Sequence, residues 1–325
     1  MKIHGCLGLL LLIASWYCLL HRIEPFTTYF YCFAWWSYIM VADALLLKLR
    51  GRSLLIHRSR ELLAMLPISV FIWLLFEAYN FRINNWLYYV APMPSWLRWL
   101  SYAVAYATVL PAIFITSDLV ETITGRPSGK SASECDPALP GVSARPSPVL
   151  LVLGCALTLL PLLLPRYFSP AVWIGPILLL DPLLEKVQIR SLSSSVRAGD
   201  RRRVWNLMLG GLLCGLLWEF MNYWAGSKWV YTVPFFGKWK LFEMPALGYL
   251  GFLPFALECW ILYHGLRAAA HMMPVRAARI AWWLGLVILS LLIMRGIDRY
   301  TVIQSAVHII PETHLSGALT NVNNL

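Results

Sequence analysis

Charged side chains are scarce in this sequence: Asp, Glu, Lys and Arg together make up 13% of its 325 residues, against about 25% in ordinary soluble domains. Hydrophobic residues make up 59%, more apolar surface than a soluble core of this length can hide. A soluble globular fold is excluded, and lipid is the medium left to cover the remainder. The seven cysteines include no C-x-x-C pair. Cys6, Cys18, Cys32, Cys155, Cys214 and Cys259 fall in or beside apolar runs, so neither a disulfide framework nor a zinc site is expected. No G-x-x-x-x-G-K-[ST], H-E-x-x-H or G-x-S-x-G pattern occurs, which leaves nucleotide hydrolysis, zinc proteolysis and serine hydrolysis without their machinery. No histidines face each other within the apolar runs, so haem is not expected; neither is any other cofactor or metal. The net charge of +11 does not mark a nucleic-acid surface either. The basic residues collect between apolar runs instead of forming a stripe with exposed aromatics.

What the chain does have is one pattern stated twice, about 140 residues apart. Asp43-x-Leu45-Leu46-x-Lys48-x-x-x-Arg52-Ser53-Leu54 returns as Asp181-x-Leu183-Leu184-x-Lys186-x-x-x-Arg190-Ser191-Leu192. Leu74-Leu75-Phe76-Glu77-x-x-Asn80 returns as Leu216-Leu217-Trp218-Glu219-x-x-Asn222. Trp86-x-Tyr88-x-Val90 is answered by Trp229-x-Tyr231-x-Val233, and Tyr106-x-x-x-Leu110-Pro111 by Tyr249-x-x-x-Leu253-Pro254. Four blocks in one order read as an internal duplication.

Nine apolar spans are predicted, at about 6–20, 27–49, 62–79, 96–116, 149–164, 171–187, 204–223, 247–263 and 280–294; several approach the roughly 20 residues that a bilayer crossing needs. The expected fold is all-α: a polytopic membrane protein of about nine transmembrane helices, arranged as two parallel four-helix repeats plus one extra helix. The first repeat occupies 1–120, a polar cytoplasmic linker 121–148, the second repeat 149–263, a basic loop and ninth helix 264–294, and an external tail 295–325. Lys2 precedes the first span as in a signal peptide, but no small-residue cleavage site follows, and the second copy opens with two spans, so the first is expected to stay. About two-thirds of the 27 Lys and Arg fall on the side of Lys2. The expected topology is therefore N-terminus inside and C-terminus outside, in a bacterial inner membrane.

The acids inside apolar spans are the candidate chemistry. Glu77 with Asn80, and Glu219 with Asn222, are spaced to share one helix face. An ionisable group in lipid costs about 3 kcal/mol near the bilayer centre, so a functional site is the default reading. The structural alternative is that each carboxylate tethers the aromatic segment after it through indole and phenol donors. Asp43 and Asp181, at the inner helix ends beside Lys48 and Lys186, read more simply as structural pairs. The second copy carries more chemistry: Glu258 inside its fourth span, where the first copy has Ile115, and Lys228 and Glu243 in the outer segment. Glu219, Asn222, Glu77, Asn80 and Glu258 are thus the candidate catalytic residues. Trp218, Trp229, Tyr231, Trp86, Tyr88, Lys228 and Glu243 are the candidates to line a pocket at the outer side.

On Glu219 with Trp218, Trp229 and Tyr231, and Glu77 as their first-copy echo, the chain weakly resembles the integral-membrane carotenoid cyclase and hydratase families. The P-x-E-E carboxylates associated with the cyclases do not occur in it. The resemblance implies an all-helical enzyme in which a membrane carboxyl protonates an isoprenoid double bond without a metal. The expected function is a membrane enzyme acting on an isoprenoid or other lipid by carboxyl acid–base chemistry. A transporter or lipid-translocating protein is the first alternative, motivated by parallel repeats and Glu258, and a non-catalytic assembly or binding protein the second. The expected partner is membrane lipid or a hydrophobic small molecule, with no nucleic acid.

Overall fold

A computed structural model describes residues 2–125, 130–134, 147–234 and 239–305. Residues 126–129 and 135–146 of the expected linker, and the expected tail from 306 on, lie outside the described residues. The helices in chain order are α1 (Ile3–Leu20), α2 (Phe30–Arg50), α3 (Ser59–Ile83), α4 (Ser95–Tyr106), α5 (Val109–Thr124), α6 (Pro148–Leu163), α7 (Pro165–Phe168), α8 (Gly175–Leu184), α9 (Leu192–Arg197), α10 (Arg202–Trp224), α11 (Phe252–Met272) and α12 (Arg276–Tyr300). Eight helical segments among the described residues are long and apolar enough to cross a membrane. The chain is a predominantly helical, multi-pass membrane protein of the all-α class. The fifth predicted span is α6, an apolar helix of 16 residues that is shorter than the other eight.

Two predicted spans are broken. The fourth divides into α4 and α5 at Ala107–Thr108. The sixth is a succession of short pieces, α7, a 3₁₀ turn at Ser169–Trp173, and α8. Pro165, Pro170, Pro176 and Pro182 recur through it, and each removes a backbone donor that an uninterrupted helix needs. Elsewhere helices sit close because one residue is small: a Cβ on Gly210 of α10 would stand 2.9 Å from the Ser117 Cα of α5. The ninth span runs beyond its predicted end, through Arg295 and Asp298 to Tyr300. Asp298 is held in place by α4: Arg98 donates to both of its oxygens at 2.6 and 2.8 Å, and Trp99 Nε1 donates at 2.8 Å.

The aromatic segments after α3 and α10 are strands. β1 (Trp86–Val90) pairs antiparallel with β2 (Lys228–Tyr231), with Trp86 opposite Tyr231 and Tyr88 opposite Trp229. Residues Lys240–Leu241 (β3) and Met244–Pro245 (β4) form a small ribbon of their own. After α12, β5 (Val302–Gln304) adds to the other edge of β1 in parallel. Helix direction then gives the molecule two ends: a strand end built by β1, β2 and β5, and a basic end where Arg50 pairs with Glu121 at 2.7 Å and Arg58 donates to Ser133 at 2.7 Å.

At the basic end, Asp43 and Asp181 each bind the turn after their helix, and Asp43 also has His4 Nε2 at 3.2 Å from its Oδ2. Asp43 accepts from the Ser53 hydroxyl and, at 2.7 Å, from the Leu54 amide. Asp181 accepts from the Leu192 amide at 2.8 Å and the Ser193 amide at 2.9 Å. Each acid fastens the turn that follows its helix. These bonds come from turn hydroxyl and amide groups, not from Lys48 and Lys186.

Candidate ligand-binding chamber

Glu77 lies in the last two turns of α3, and the chain reverses just beyond it at Asn84, which takes a left-handed conformation (φ 51°). That reversal lays β1 back against the helix end. Asn80 then fixes the strand: its Nδ2 donates to the Trp86 carbonyl at 2.8 Å, and its Oδ1 accepts from the Asn85 amide at 2.9 Å. Asn222 does the same for β2, donating to the Trp229 carbonyl at 2.9 Å and accepting from the Trp229 amide at 3.0 Å. An amide side chain is suited to this task because it carries both a donor and an acceptor.

With the strands in place, their side chains meet the carboxyls. Glu77 Oε1 accepts from Trp73 Nε1 at 2.9 Å, Trp86 Nε1 at 3.0 Å and the Tyr88 hydroxyl at 2.5 Å. Glu219 Oε1 accepts from the Tyr231 hydroxyl at 2.8 Å and Trp229 Nε1 at 3.3 Å. Both glutamates are fully buried, and the Oε2 of each has no hydrogen-bond partner among the described residues. Burial first, and then the glutamate beside each, hold the Tyr88 and Tyr231 hydroxyls well above the ordinary phenol range. Both phenols therefore stay protonated donors through neutral pH.

In front of these strands lies a chamber of about 200 Å³, walled by Trp73, Trp86, Tyr88, Trp173, Trp229, Tyr231, Met244 and Phe255 with a few neighbours. A cavity of about 150 Å³ accepts a benzene ring. This one therefore has room for a single ring or a short branched hydrocarbon unit. Four of the predicted lining residues, Trp86, Tyr88, Trp229 and Tyr231, form its wall. Glu77 and Glu219 do not line it; they stand behind the wall, each reached through a phenol and an indole. A smaller void of about 80 Å³ adjoins it, sharing Trp73, Tyr88 and Trp229, and Trp218 and Lys228 line that one. Lys228 is paired with Glu243 at 2.6 Å. Glu258, in α11, is buried and lines neither void, with Oε2 unpartnered.

The sequence did not single out Trp73, Trp173 or Phe255. Trp73 was within reach, since it stands four residues before Glu77 on the same helix face. Among the described residues no group of three or more His, Cys, Asp or Glu is arranged to hold a metal ion. No protein-family model matches this chain, and no curated protein or solved structure is significantly similar to it.

Proposed function

We propose that this protein is an integral-membrane enzyme that binds an isoprenoid or other lipid unit in the aromatic chamber and acts on it by acid–base chemistry. The observation that carries the reading is the pairing of an apolar, ring-sized void with a fully buried carboxyl one hydrogen bond behind its wall. Because Glu219 does not face the void, Tyr231 is the group that would exchange a proton with the ligand. For this the Tyr231 hydroxyl turns from Glu219 Oε1 toward the ligand carbon, and as its proton leaves, a protonated Glu219 carboxyl donates to the phenol oxygen and is left as the carboxylate. The raised phenol pKa demands that the two transfers be coupled, since a free phenolate in this setting is costly. The aromatic faces of Trp229 and Trp73 would steady positive charge on the ligand. In this reading the repeated blocks descend from one duplicated four-helix unit, and the basic end faces the cytoplasm of a bacterial inner membrane.

A second reading has its own support. Glu77 Oε1 is taken by three donors, which makes that carboxyl a brace for β1, and a binding protein with two such braces would need no chemistry.

Two variants separate these. A Cβ at Gly251 meets only the Trp173 ring, at 3.5 Å, so Gly251→Leu should fold while filling the chamber. Binding of a polyene, read by energy transfer from tryptophan in nanodiscs, should vanish in Gly251→Leu and persist in Glu219→Gln. If the lipid extracted from the purified protein is converted by wild type, Glu219→Gln should abolish that conversion without lowering the melting temperature. Full conversion by Glu219→Gln, or a lower melting temperature with conversion unchanged, leaves only the bracing role. Unimpaired polyene binding by Gly251→Leu would remove the chamber from the account.

A further inference from the structure

The smaller void is lined by two buried hydroxyls with no partner, whereas the one such atom lining the chamber among the described residues is an acceptor, Asn85 Oδ1. Tyr31 and Tyr106 both line it, are 7% and 6% exposed, and their hydroxyls have no hydrogen-bond partner among the described residues. The polar groups beside them have given their own protons elsewhere and donate nothing to these two hydroxyls. Thr108, next to Tyr31, gives its proton to the Ala105 carbonyl at 2.5 Å, and Tyr88, next to Tyr106, gives its proton to Glu77. A buried hydroxyl left unpaired costs about 1 to 3 kcal/mol, and two in one void of about 80 Å³ make it a place with donors to offer.

We infer that this void receives the oxygen-bearing end of the ligand whose apolar part occupies the larger chamber, with the Tyr31 and Tyr106 hydroxyls donating to an uncharged acceptor oxygen. This rests on the chamber being a ligand site, as proposed above. The two compartments adjoin through Trp73, Tyr88 and Trp229, which line both. The volume suits a small group, since a water molecule takes about 30 Å³. The acceptor is uncharged because the two cations on the wall are already neutralised. Arg98 is held by Asp298 through two nitrogens at 2.6 and 2.8 Å, and Lys228 by Glu243 at 2.6 Å. An anionic end would have to displace one of those carboxylates. A carbonyl or hydroxyl oxygen needs only the two phenols.

The test uses the full-length protein in nanodiscs and four probes of one carbon skeleton: a hydrocarbon, and the same chain ending in a ketone, an alcohol or a carboxylate. Wild type should bind the ketone and alcohol about tenfold more tightly than the hydrocarbon, and the carboxylate no more tightly than the ketone. The doubly substituted protein, Tyr31→Phe with Tyr106→Phe, should bind the hydrocarbon unchanged and lose the preference for oxygen. Its melting temperature without ligand should stay the same or rise, because the deleted hydroxyls have no protein partner to lose. Equal binding of hydrocarbon and ketone by wild type overturns the inference but leaves the chamber intact. So does a preference that survives in the double variant, a tighter carboxylate, or a drop in melting temperature. Failure of all four probes to bind overturns both the inference and the chamber.

Discussion

Asn222 satisfies both backbone groups of Trp229 with one side chain, and no other residue type of that length offers a donor and an acceptor together. Asn222→Ala should cost about 2 to 4 kcal/mol, because two buried backbone groups lose their partners at about 1 to 2 kcal/mol each. Asn222→Asp, which keeps the acceptor alone, should fall between the two; thermal melts in detergent measure both. An alanine variant that melts with wild type would mean that β2 is held by its ladder and not by the helix. Glu219 and Tyr231 depend on this clamp, since a shift of the strand would separate the phenol from the carboxyl. The identity of these residues was legible in the sequence because acid, amide, indole and phenol recur in register. Which group faces the void was not legible, as spacing along a helix gives the face of a carboxyl but not what the following strand interposes.

The elements at the basic end are tied by short-range bonds whose strength can be read separately. Asp43→Ala and Asp181→Ala should each cost about 1 to 3 kcal/mol by leaving a buried turn amide unpaired. The two sites share no partner, so the double variant should show the sum; a smaller combined loss would mean that the turns are coupled. A third acid there responds to pH. Asp200 precedes α10, accepts from the Arg202 amide and side chain at 3.2 and 2.9 Å, and those bonds hold its carboxyl below the ordinary range. A depressed pKa contributes stability that is present above the unfolded value near 4 and disappears as pH falls through the folded one. The melting temperature should therefore decline on acidification below about pH 4, and less steeply in Asp200→Asn; parallel curves for the two would remove Asp200 from the effect. Helix positions at both ends were legible from apolar runs and charge. The pairing of β1 with β2 was not, because no turn signal joins strands so far apart in sequence, and Trp and Tyr at a membrane surface need no strand to explain them. Tyr31 was hidden by the same abundance of aromatics, and Tyr106 stood out only as the first residue of a repeated block, with nothing to mark its hydroxyl.

Across the whole molecule, one ion pair fastens the last helix to the body. Arg98, 4% exposed, and Asp298 join α4 to α12, and removing one partner of such a pair strands the other charge. Asp298→Ala should lose about 3 to 5 kcal/mol, while exchanging the two residues, Arg98→Asp with Asp298→Arg, should recover part of it. Limited proteolysis of the loop before α12 would report the same loosening as faster release of the C-terminal fragment, and an unchanged rate would show that packing on α3 and the β5 pairing retain the helix without the ion pair. The sheet itself carries a consequence for biogenesis. β1 waits for β2 and β5, both made long after it, so its edges stay open while the second half of the chain is being synthesised. The Glu77 oxygen does not wait: Trp73 precedes it on the same helix, and Trp86 and Tyr88 emerge from the ribosome moments later. The carboxyl thus enters the bilayer already wrapped by donors from its own neighbourhood, and Glu219 follows with its own pair. The first half can insert its acid before the second exists, and the joining of the strands becomes the last act of assembly.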